Sequence, residues 1–121
     1  MKKTFLFFIL FVLILVGCSN EQILLSGESK NWKGKYLANI DGNNENGSYE
    51  FHFKKGNSKT NFKNIEVNIN NGKTVIRDEN FKGTTISTPK SCRGCSVTSK
   101  DKPIKVLIKW NGENAETFYL K

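Results

Sequence analysis

A two-residue alternation of apolar and polar side chains dominates this chain from Trp32 to its last residues. Large apolar residues fall on one parity, and lysine, asparagine and glutamate occupy the other. This period is typical of strands with one buried face and differs from the 3.6-residue repeat of a helix. The apolar members of these runs are Trp32, Tyr36, Ala38, Ile40, Tyr49, Phe51, Phe53, Ile65, Val67, Ile69, Ile104, Val106, Ile108 and Trp110. No stretch carries a helical stripe, so the pattern predicts an all-β domain.

The residues between these runs are turn formers. Asn71-Gly72 and Asn111-Gly112 each separate two alternating runs, and Asn-Gly supplies the positive φ angles that a tight hairpin requires. Residues 41–47 are polar and are predicted to form a long loop. Seven or so short strands at roughly ten-residue spacing predict an antiparallel β-sandwich over residues 32–121, immunoglobulin-like in type, with a small β-barrel as the alternative.

The first 17 residues have the composition of an export signal. Lys2 and Lys3 precede an apolar run of 12 residues, Phe5 to Val16. A membrane-spanning helix needs about 20 apolar residues, so the short run behind a basic start predicts a signal peptide over residues 1–17. The tetrapeptide Leu15-Val16-Gly17-Cys18 resembles the lipobox of bacterial lipoproteins. That resemblance implies cleavage before Cys18, lipidation of its sulfur, and a lipid-anchored protein on the extracellular side of the cell membrane.

Residues 18–31 are mostly small and polar, apart from the island Ile23-Leu24-Leu25. They are predicted to form a flexible tether between the lipid and the domain. Two fatty acyl chains on Cys18, palmitate for example, would hold the protein on a bilayer, because each buried methylene contributes about 0.8 kcal/mol.

The chain is basic, and an exported basic domain meets anionic lipid headgroups or anionic wall polymers. The formal net charge of +8 falls to +6 when Lys2 and Lys3 leave with the signal. The lysines that could contact a polyanion are Lys54, Lys55, Lys59, Lys63, Lys105 and Lys109. The alternative is that scattered lysines keep a small β domain soluble and protect its strand edges. Nucleic acid is not expected as a partner, because no RNP-type or zinc-finger motif is present.

Cys92-Arg93-Gly94-Cys95 is the one chemical motif of the domain. If Cys18 carries lipid, these two cysteines remain as a pair, and a disulfide is the default in an oxidising compartment. A thiol–disulfide exchange role is the alternative, since Cys-x-x-Cys spacing and Arg93 would favour a thiolate. Metal ligation ranks last, because a closed zinc site needs four ligands and His52 is the only histidine. No catalytic triad or phosphate-binding glycine loop is recognisable, so we expect neither a catalytic residue nor a cofactor.

The mature chain also resembles a group of small uncharacterised lipoproteins of low-GC Gram-positive bacteria. The resemblance includes the opening Ser26-Gly27-Glu28-Ser29-Lys30-Asn31-Trp32 and the C-terminal segments Ile108-Lys109-Trp110-Asn111-Gly112 and Phe118-Tyr119-Leu120-Lys121. It implies an exported all-β domain, and the group has no activity to carry over. The leading hypothesis is therefore a non-enzymatic, membrane-tethered module that binds or scaffolds a protein or an anionic cell-wall partner.

Overall fold

The computed structural model describes residues 20–121, and the predicted signal peptide and Cys18 lie outside these residues. The described part of the chain contains eight strands and no helix, hence no helix that could cross a membrane. The strands are β1 (Glu21–Glu28), β2 (Trp32–Asp41), β3 (Asn44–Phe53), β4 (Asn61–Ile69), β5 (Thr74–Lys82), β6 (Thr85–Cys92), β7 (Ile104–Trp110) and β8 (Asn114–Leu120).

The strands form two four-stranded sheets packed face to face. Sheet 1 has the order β1-β2-β3-β6, sheet 2 has the order β5-β4-β7-β8, and all neighbours are antiparallel. The predicted antiparallel β-sandwich is confirmed, and the two layers do not close into the barrel considered as the alternative. The strand order differs from that of an immunoglobulin constant-type domain, in which the second strand pairs with the fifth. Here β2 pairs with β3 instead, because a tight turn at Gly42 (φ 61°) keeps these consecutive strands in one sheet.

The flexible tether predicted for residues 18–31 is wrong over most of its length. Residues 21–28 form β1, which pairs with β2 over eight positions from Glu21↔Ile40 to Glu28↔Lys33. Ile23 and Leu25 are buried in the core. Ile23 and Leu25 of the small apolar island therefore mark the inward face of a strand, whereas Leu24 between them lies on the solvent face.

The loop predicted for residues 41–47 is also wrong. The chain turns at Gly42 and Asn43, and β3 begins at Asn44 and pairs with β2 along its whole length. The two predicted Asn-Gly hairpin turns are confirmed. Asn71 and Gly72 connect β4 to β5, Asn111 and Gly112 connect β7 to β8, and all four residues have positive φ.

The core lies between the sheets and includes inward-facing residues that the alternation predicted, together with Ile23 and Leu25 of β1, which it did not. One part of the core is an aromatic cluster, in which the centroid of the Trp32 ring lies 5.0 Å from that of Phe53, 5.4 Å from that of Phe62 and 5.7 Å from that of Trp110. The spacing between Phe62 and Ile65, both buried, breaks the alternation by one residue. Asn64, which lies between them, has φ 53° and makes no ladder pair with β5, although the register is the same on both sides of it, at Lys63↔Asn80 and Ile65↔Asp78. The left-handed backbone at Asn64 turns the strand so that Ile65 faces the core, without an inserted residue.

At one side of the sandwich, the edge strands β1 and β8 contact each other, and Gly27 permits their close approach. Ser26 and Lys121 exchange two backbone hydrogen bonds, of 3.3 and 3.0 Å. A Cβ atom on Gly27 would lie 1.9 Å from the carbonyl oxygen of Tyr119. Because the obstacle is backbone, β1 can approach β8 this closely only with glycine at this position.

We therefore expect Gly27→Ala to lower the free energy of unfolding by about 1–3 kcal/mol, the range for overpacking a tight contact. Ser26→Ala is the matched control, since the Ser26 side chain is exposed and its backbone bonds to Lys121 are retained. Urea unfolding of both variants measures the difference. Equal stability of the two variants would show that the β1–β8 contact can widen without cost.

Candidate functional site

A buried carboxylate near one end of sheet 1 is the most unusual polar feature of the described residues. Glu45 lies at the start of β3, is 1 % exposed, and is the one charged side chain among the buried residues of this part of the chain. Its parity is that of Tyr49, Phe51 and Phe53, so the pleat of β3 directs it inward.

Four groups surround the Glu45 carboxylate. The Tyr36 hydroxyl donates a short hydrogen bond to Oε2. The Thr98 backbone N–H donates to Oε1 at 2.6 Å, and the Thr98 hydroxyl donates to Oε2 at 2.7 Å. Lys90 places its Nζ 3.8 Å from Oε2. We call Tyr36, Glu45, Lys90 and Thr98 the Glu45 cluster.

Glycine at position 47 makes room for this cluster. A Cβ atom on Gly47 would lie 2.6 Å from the Ala38 Cβ and 2.9 Å from the Tyr36 hydroxyl oxygen. Gly47 stands opposite Ala38 on β2 and Lys90 on β6. The two small residues thus allow the tyrosine ring to lie across the sheet and to reach Glu45.

The pKa values agree with an ionised Glu45 beside a neutral tyrosine. Burial opposes ionisation of Glu45, but the hydrogen bonds from Tyr36 and Thr98, with Lys90 nearby, hold the pKa of this carboxyl below its usual value. Burial, and then the hydrogen bond to Glu45, raises the pKa of Tyr36 well above its usual range. Burial raises the pKa of Tyr49 to about 12. Lys90 also lies over the rings of Tyr36 and Tyr49, 5.4 and 6.0 Å from their centroids.

The predicted cysteine pair lies beside the Glu45 cluster. Cys92 ends β6 directly opposite Glu45, and the Cα atoms of Cys92 and Cys95 are 6.2 Å apart, within the range of a disulfide. The Cys95 N–H donates to the carbonyl oxygen of Asn43, and the Gly94 N–H donates to the Asn44 side chain. The loop of residues 93–103, which connects β6 to β7, is thus held on the turn between β2 and β3 by these bonds and on Glu45 through Thr98.

A second hydrogen-bonded carboxylate, the half-buried Glu116 on β8, connects the other end of β1 to sheet 2. It accepts hydrogen bonds from the Ser29 hydroxyl at 2.5 Å, the Asn31 backbone N–H at 2.9 Å and the Asn31 amide at 2.5 Å. Burial favours the neutral acid, but these hydrogen bonds and the nearby charge of Lys30 hold the pKa of Glu116 below its ordinary value of 4.5.

This lowered pKa predicts a loss of stability in acid. The unfolded chain binds the proton more readily than the folded chain, so the contribution of Glu116 is complete above about pH 4.5 and is lost as the pH falls through the folded pKa. We expect Glu116→Gln to show a shallower decrease in the free energy of unfolding between about pH 4.5 and 3 than the wild type. Glu113→Gln, in the neighbouring exposed turn, is the matched control. Parallel curves for all three proteins would contradict this role of Glu116.

The six lysines predicted to contact a polyanion do not form one surface. Lys54 is occupied, because its Nζ lies 2.9 Å from Glu28 and donates to the Ser29 carbonyl oxygen. Exposed Lys55, Lys59 and Lys63 lie at the end of the domain where β3 passes to β4. Lys105 and Lys109 lie on the outer face of sheet 2, and Lys109 stands opposite Glu66, which is already paired with Arg77 at 2.7 Å.

Two shallow depressions lie on the outer faces of the sheets, and both carry charges of both signs. The depression on sheet 2 is lined by Glu66, Arg77, Asp78, Glu79 and Lys109, among others. The depression on sheet 1 is lined by Glu28, Lys33, Lys35, Glu50 and His52, with Ser26 and two glycines. Neither lining selects a ligand of one charge.

His52 is exposed and shares a 3.0 Å hydrogen bond with the Thr85 hydroxyl. Within residues 20–121, no three His, Cys, Asp or Glu side chains lie close enough to hold a metal ion.

Sequence reasoning missed the Glu45 cluster because it assigned residues 41–47 to a loop. The available signal was parity, since Glu45 precedes Gly47, Tyr49, Phe51 and Phe53 at two-residue steps. A charged residue on the apolar parity of a strand predicts a buried, partnered charge. The sequence offered no way to find Thr98 as its partner, because the contact joins residues 53 positions apart.

The comparisons with known proteins give no match, whether to a protein family, to a curated protein or to a solved structure. Both oxygens of Glu45 accept hydrogen bonds from the chain itself. The cluster is thus suited to holding the 93–103 loop in place and presents no carboxylate to a substrate.

Proposed function

We propose that this protein is a lipid-anchored cell-surface protein whose β-sandwich serves as a non-enzymatic binding or scaffolding module. One observation carries the proposal: a lipobox-like tetrapeptide ending at Cys18 is followed, three residues later, by the first strand of a folded domain. A predicted export signal joined so closely to a folded β-sandwich supports attachment of that domain to the membrane by lipid.

The interior of the domain supports a module without catalysis. The buried carboxylate Glu45 and the half-buried carboxylate Glu116 are occupied by hydrogen bonds from Tyr36, Thr98, Ser29 and Asn31. Their lowered pKa values keep them ionised at neutral pH. A general acid or base near neutral pH would need a raised carboxyl pKa and an open path to the substrate.

Metabolic labelling with a palmitate analogue in a Gram-positive host tests the anchor. We expect label and membrane fractionation for the wild-type chain, and loss of both for Cys18→Ala. The chain offers a matched control in the double variant Cys92→Ser/Cys95→Ser, which removes the other two cysteines and should keep the label. An unlabelled wild-type chain, or label that persists in Cys18→Ala, would overturn the proposal.

A second candidate function is binding of an anionic polymer. It is favoured by the exposed lysines Lys55, Lys59 and Lys63, which lie at the same end of the domain and make no ion pair among residues 20–121. Such binding would decrease steeply with salt. A polyglycerol-phosphate column run at increasing ionic strength tests it, with Lys55→Gln/Lys59→Gln/Lys63→Gln against Lys105→Gln/Lys109→Gln as the control. Retention that salt does not change would reject this candidate.

A third candidate is thiol–disulfide exchange at Cys92 and Cys95, which are half-buried at the surface. A Cys92→Ser variant leaves Cys95 unable to resolve a bond with a partner, so an exchange protein would accumulate mixed disulfides. Absence of such adducts in non-reducing gels would remove this candidate.

A further inference from the structure

Three segments lie together at one end of sheet 1. They are the start of β1, the turn between β2 and β3, and the loop of residues 93–103, which we call the disulfide loop because it follows Cys92 and contains Cys95. Glu21, the first residue of β1, pairs with Ile40 at the end of β2. Lys100 in the loop places its Nζ 3.0 Å from the Glu21 carboxylate. The same loop is bonded to the 41–44 turn through Gly94 and Cys95. We call Glu21, residues 41–44 and residues 93–103 the proximal end.

The opposite end of sheet 1 carries the turn of residues 29–31 and the loop of residues 54–60. These two segments contact each other, since the Lys54 N–H donates to the Asn31 carbonyl oxygen at 2.8 Å. We call them the distal end. The ten residues of β2 connect the two ends, and at about 3.3 Å per residue they separate them by about 30 Å.

The connection between Cys18 and the domain is very short. Ser19 and Asn20 alone stand between Cys18 and Glu21. Three residue steps span at most about 11 Å when fully extended. Strand β1 gives no additional slack, because eight register pairs hold it on β2 and its side chains Ile23 and Leu25 are buried.

We propose that the proximal end rests on the lipid headgroups of the membrane and that the distal end points away from it. The proposal rests on the proposed lipidation of Cys18, which would place the acyl chains within about 11 Å of Glu21. The occupant of this surface is the headgroup layer and not the hydrocarbon. The strongly exposed apolar side chains of the described domain are Leu24, Leu37, Val75 and Tyr119, and none belongs to the proximal end.

The side chains of the proximal end suit hydrated headgroups. Arg93, Lys100 and Lys102 of this end are exposed, and so are Glu21, Asp41 and Asp101. These charges can pair with both the phosphate and the amine of a zwitterionic or mixed lipid surface. In this orientation the Cys92–Cys95 pair faces the membrane, whereas Lys55 and Lys59 face outward, where a wall polymer would be met.

Lysine footprinting of the full lipoprotein in vesicles tests the orientation. The mature lipidated chain is reconstituted into phosphatidylglycerol–phosphatidylethanolamine vesicles, floated, and acylated briefly with a membrane-impermeant amine reagent. We expect Lys100 and Lys102 to react several-fold more slowly than in a matched variant with 12 Gly/Ser residues inserted between Asn20 and Glu21. Lys55 and Lys59 should react equally in the two proteins. Such an insertion adds about 20 Å of flexible reach, which frees the proximal end from the bilayer.

The possible failures are distinguishable. A wild-type chain that does not float with the vesicles overturns both the lipid anchor and the orientation. A chain that floats but shows the same Lys100 and Lys102 reactivity with and without the insertion overturns the orientation alone. Slower reaction of Lys55 and Lys59 than in the insertion variant would place the distal end on the membrane and also overturn it.

Discussion

Glu45→Ala is expected to lower the free energy of unfolding by about 3–5 kcal/mol, the range for removing one partner of a buried charge pair. The loss has two sources. The Tyr36 hydroxyl and the Thr98 N–H and hydroxyl lose their acceptor, and each unsatisfied buried donor costs about 1–3 kcal/mol. Lys90, whose side chain is 28 % exposed, loses the carboxylate that balances its charge.

Two further substitutions make this prediction specific. Glu45→Gln keeps the size and one acceptor oxygen but directs an NH₂ group at existing donors, so we expect a smaller loss than for alanine. Glu50→Gln is the matched control on the same strand, because its pair with Lys35 is 3.9 Å long with both side chains about half exposed. Such surface pairs contribute about 0–1 kcal/mol. The measurement is urea unfolding at pH 7, and a Glu45→Ala variant as stable as Glu50→Gln would contradict the account.

The Glu45 substitution should also loosen the disulfide loop locally. Thr98 is the residue through which the middle of the 93–103 loop reaches the core, and Val97 packs against the core beside it. Hydrogen exchange at the Thr98 amide should therefore accelerate in Glu45→Ala more than exchange in β7. A uniform acceleration over the whole domain would indicate a global loss of stability without a special role for the loop.

Trp32→Ala is expected to cost about 3–5 kcal/mol, as is usual for removing a large aromatic side chain from a packed core. Trp32 is fully buried and its ring contacts Phe53 from sheet 1 and Phe62 and Trp110 from sheet 2. Its removal leaves a cavity at the point where the two sheets hold each other. The measurement is chemical unfolding followed by the fluorescence of the remaining Trp110.

Trp32→Phe separates packing from polarity. The Trp32 Nε1–H is buried without a hydrogen-bond acceptor, so phenylalanine removes an unsatisfied donor along with part of the ring volume. We expect less than half of the loss seen for alanine. Tyr119→Ala is the surface control, because Tyr119 is 49 % exposed and substitutions at such positions usually change stability by about 0.5 kcal/mol or less. An equal loss for Trp32→Phe and Trp32→Ala would contradict both the packing contribution of the remaining ring and the cost assigned to the unsatisfied indole N–H.

The Glu45 cluster and the predicted anchor bear on the same region. If the proximal end rests on lipid, the loop that Thr98 and Glu45 hold in place is also the part of the domain nearest to the membrane. A rigid loop keeps that contact surface in one shape, since the 93–103 connection has no strand of its own. This gives a physical reason for the buried charge of Glu45, because an apolar residue at this position could stabilise the fold at a lower desolvation cost but would not hold the loop.

For β2, the second half of β3, β4 and β7, the sequence by itself determined where the strand runs and which side of it faces the core, because the pleat places alternate side chains on opposite faces. It also determined the two Asn-Gly hairpins, because the positive φ angles of such turns depend on local sterics alone. The proximity of Cys92 and Cys95 follows from local spacing in the same way. The alternation over residues 32–40, for example, predicted the buried face of β2 without reference to the residues that pack against it.

Only the tertiary structure decided which strands pair, that residues 21–28 join sheet 1, and that Glu45 is buried. Strand pairing depends on how the two sheets share one core, and several orders satisfy the same alternation. Residues 21–28 have few apolar side chains, so their local pattern does not predict a strand. They form one because they pair with the edge of β2, which would otherwise have unpaired backbone groups. The burial of Glu45 depends on Tyr36, Lys90 and Thr98, which come from β2, β6 and the 93–103 loop. The same packing of strands separates the predicted polyanion-binding lysines between one end of the domain and the outer face of sheet 2. Contacts between distant residues form only once the fold has brought them together, and so local patterns do not contain them.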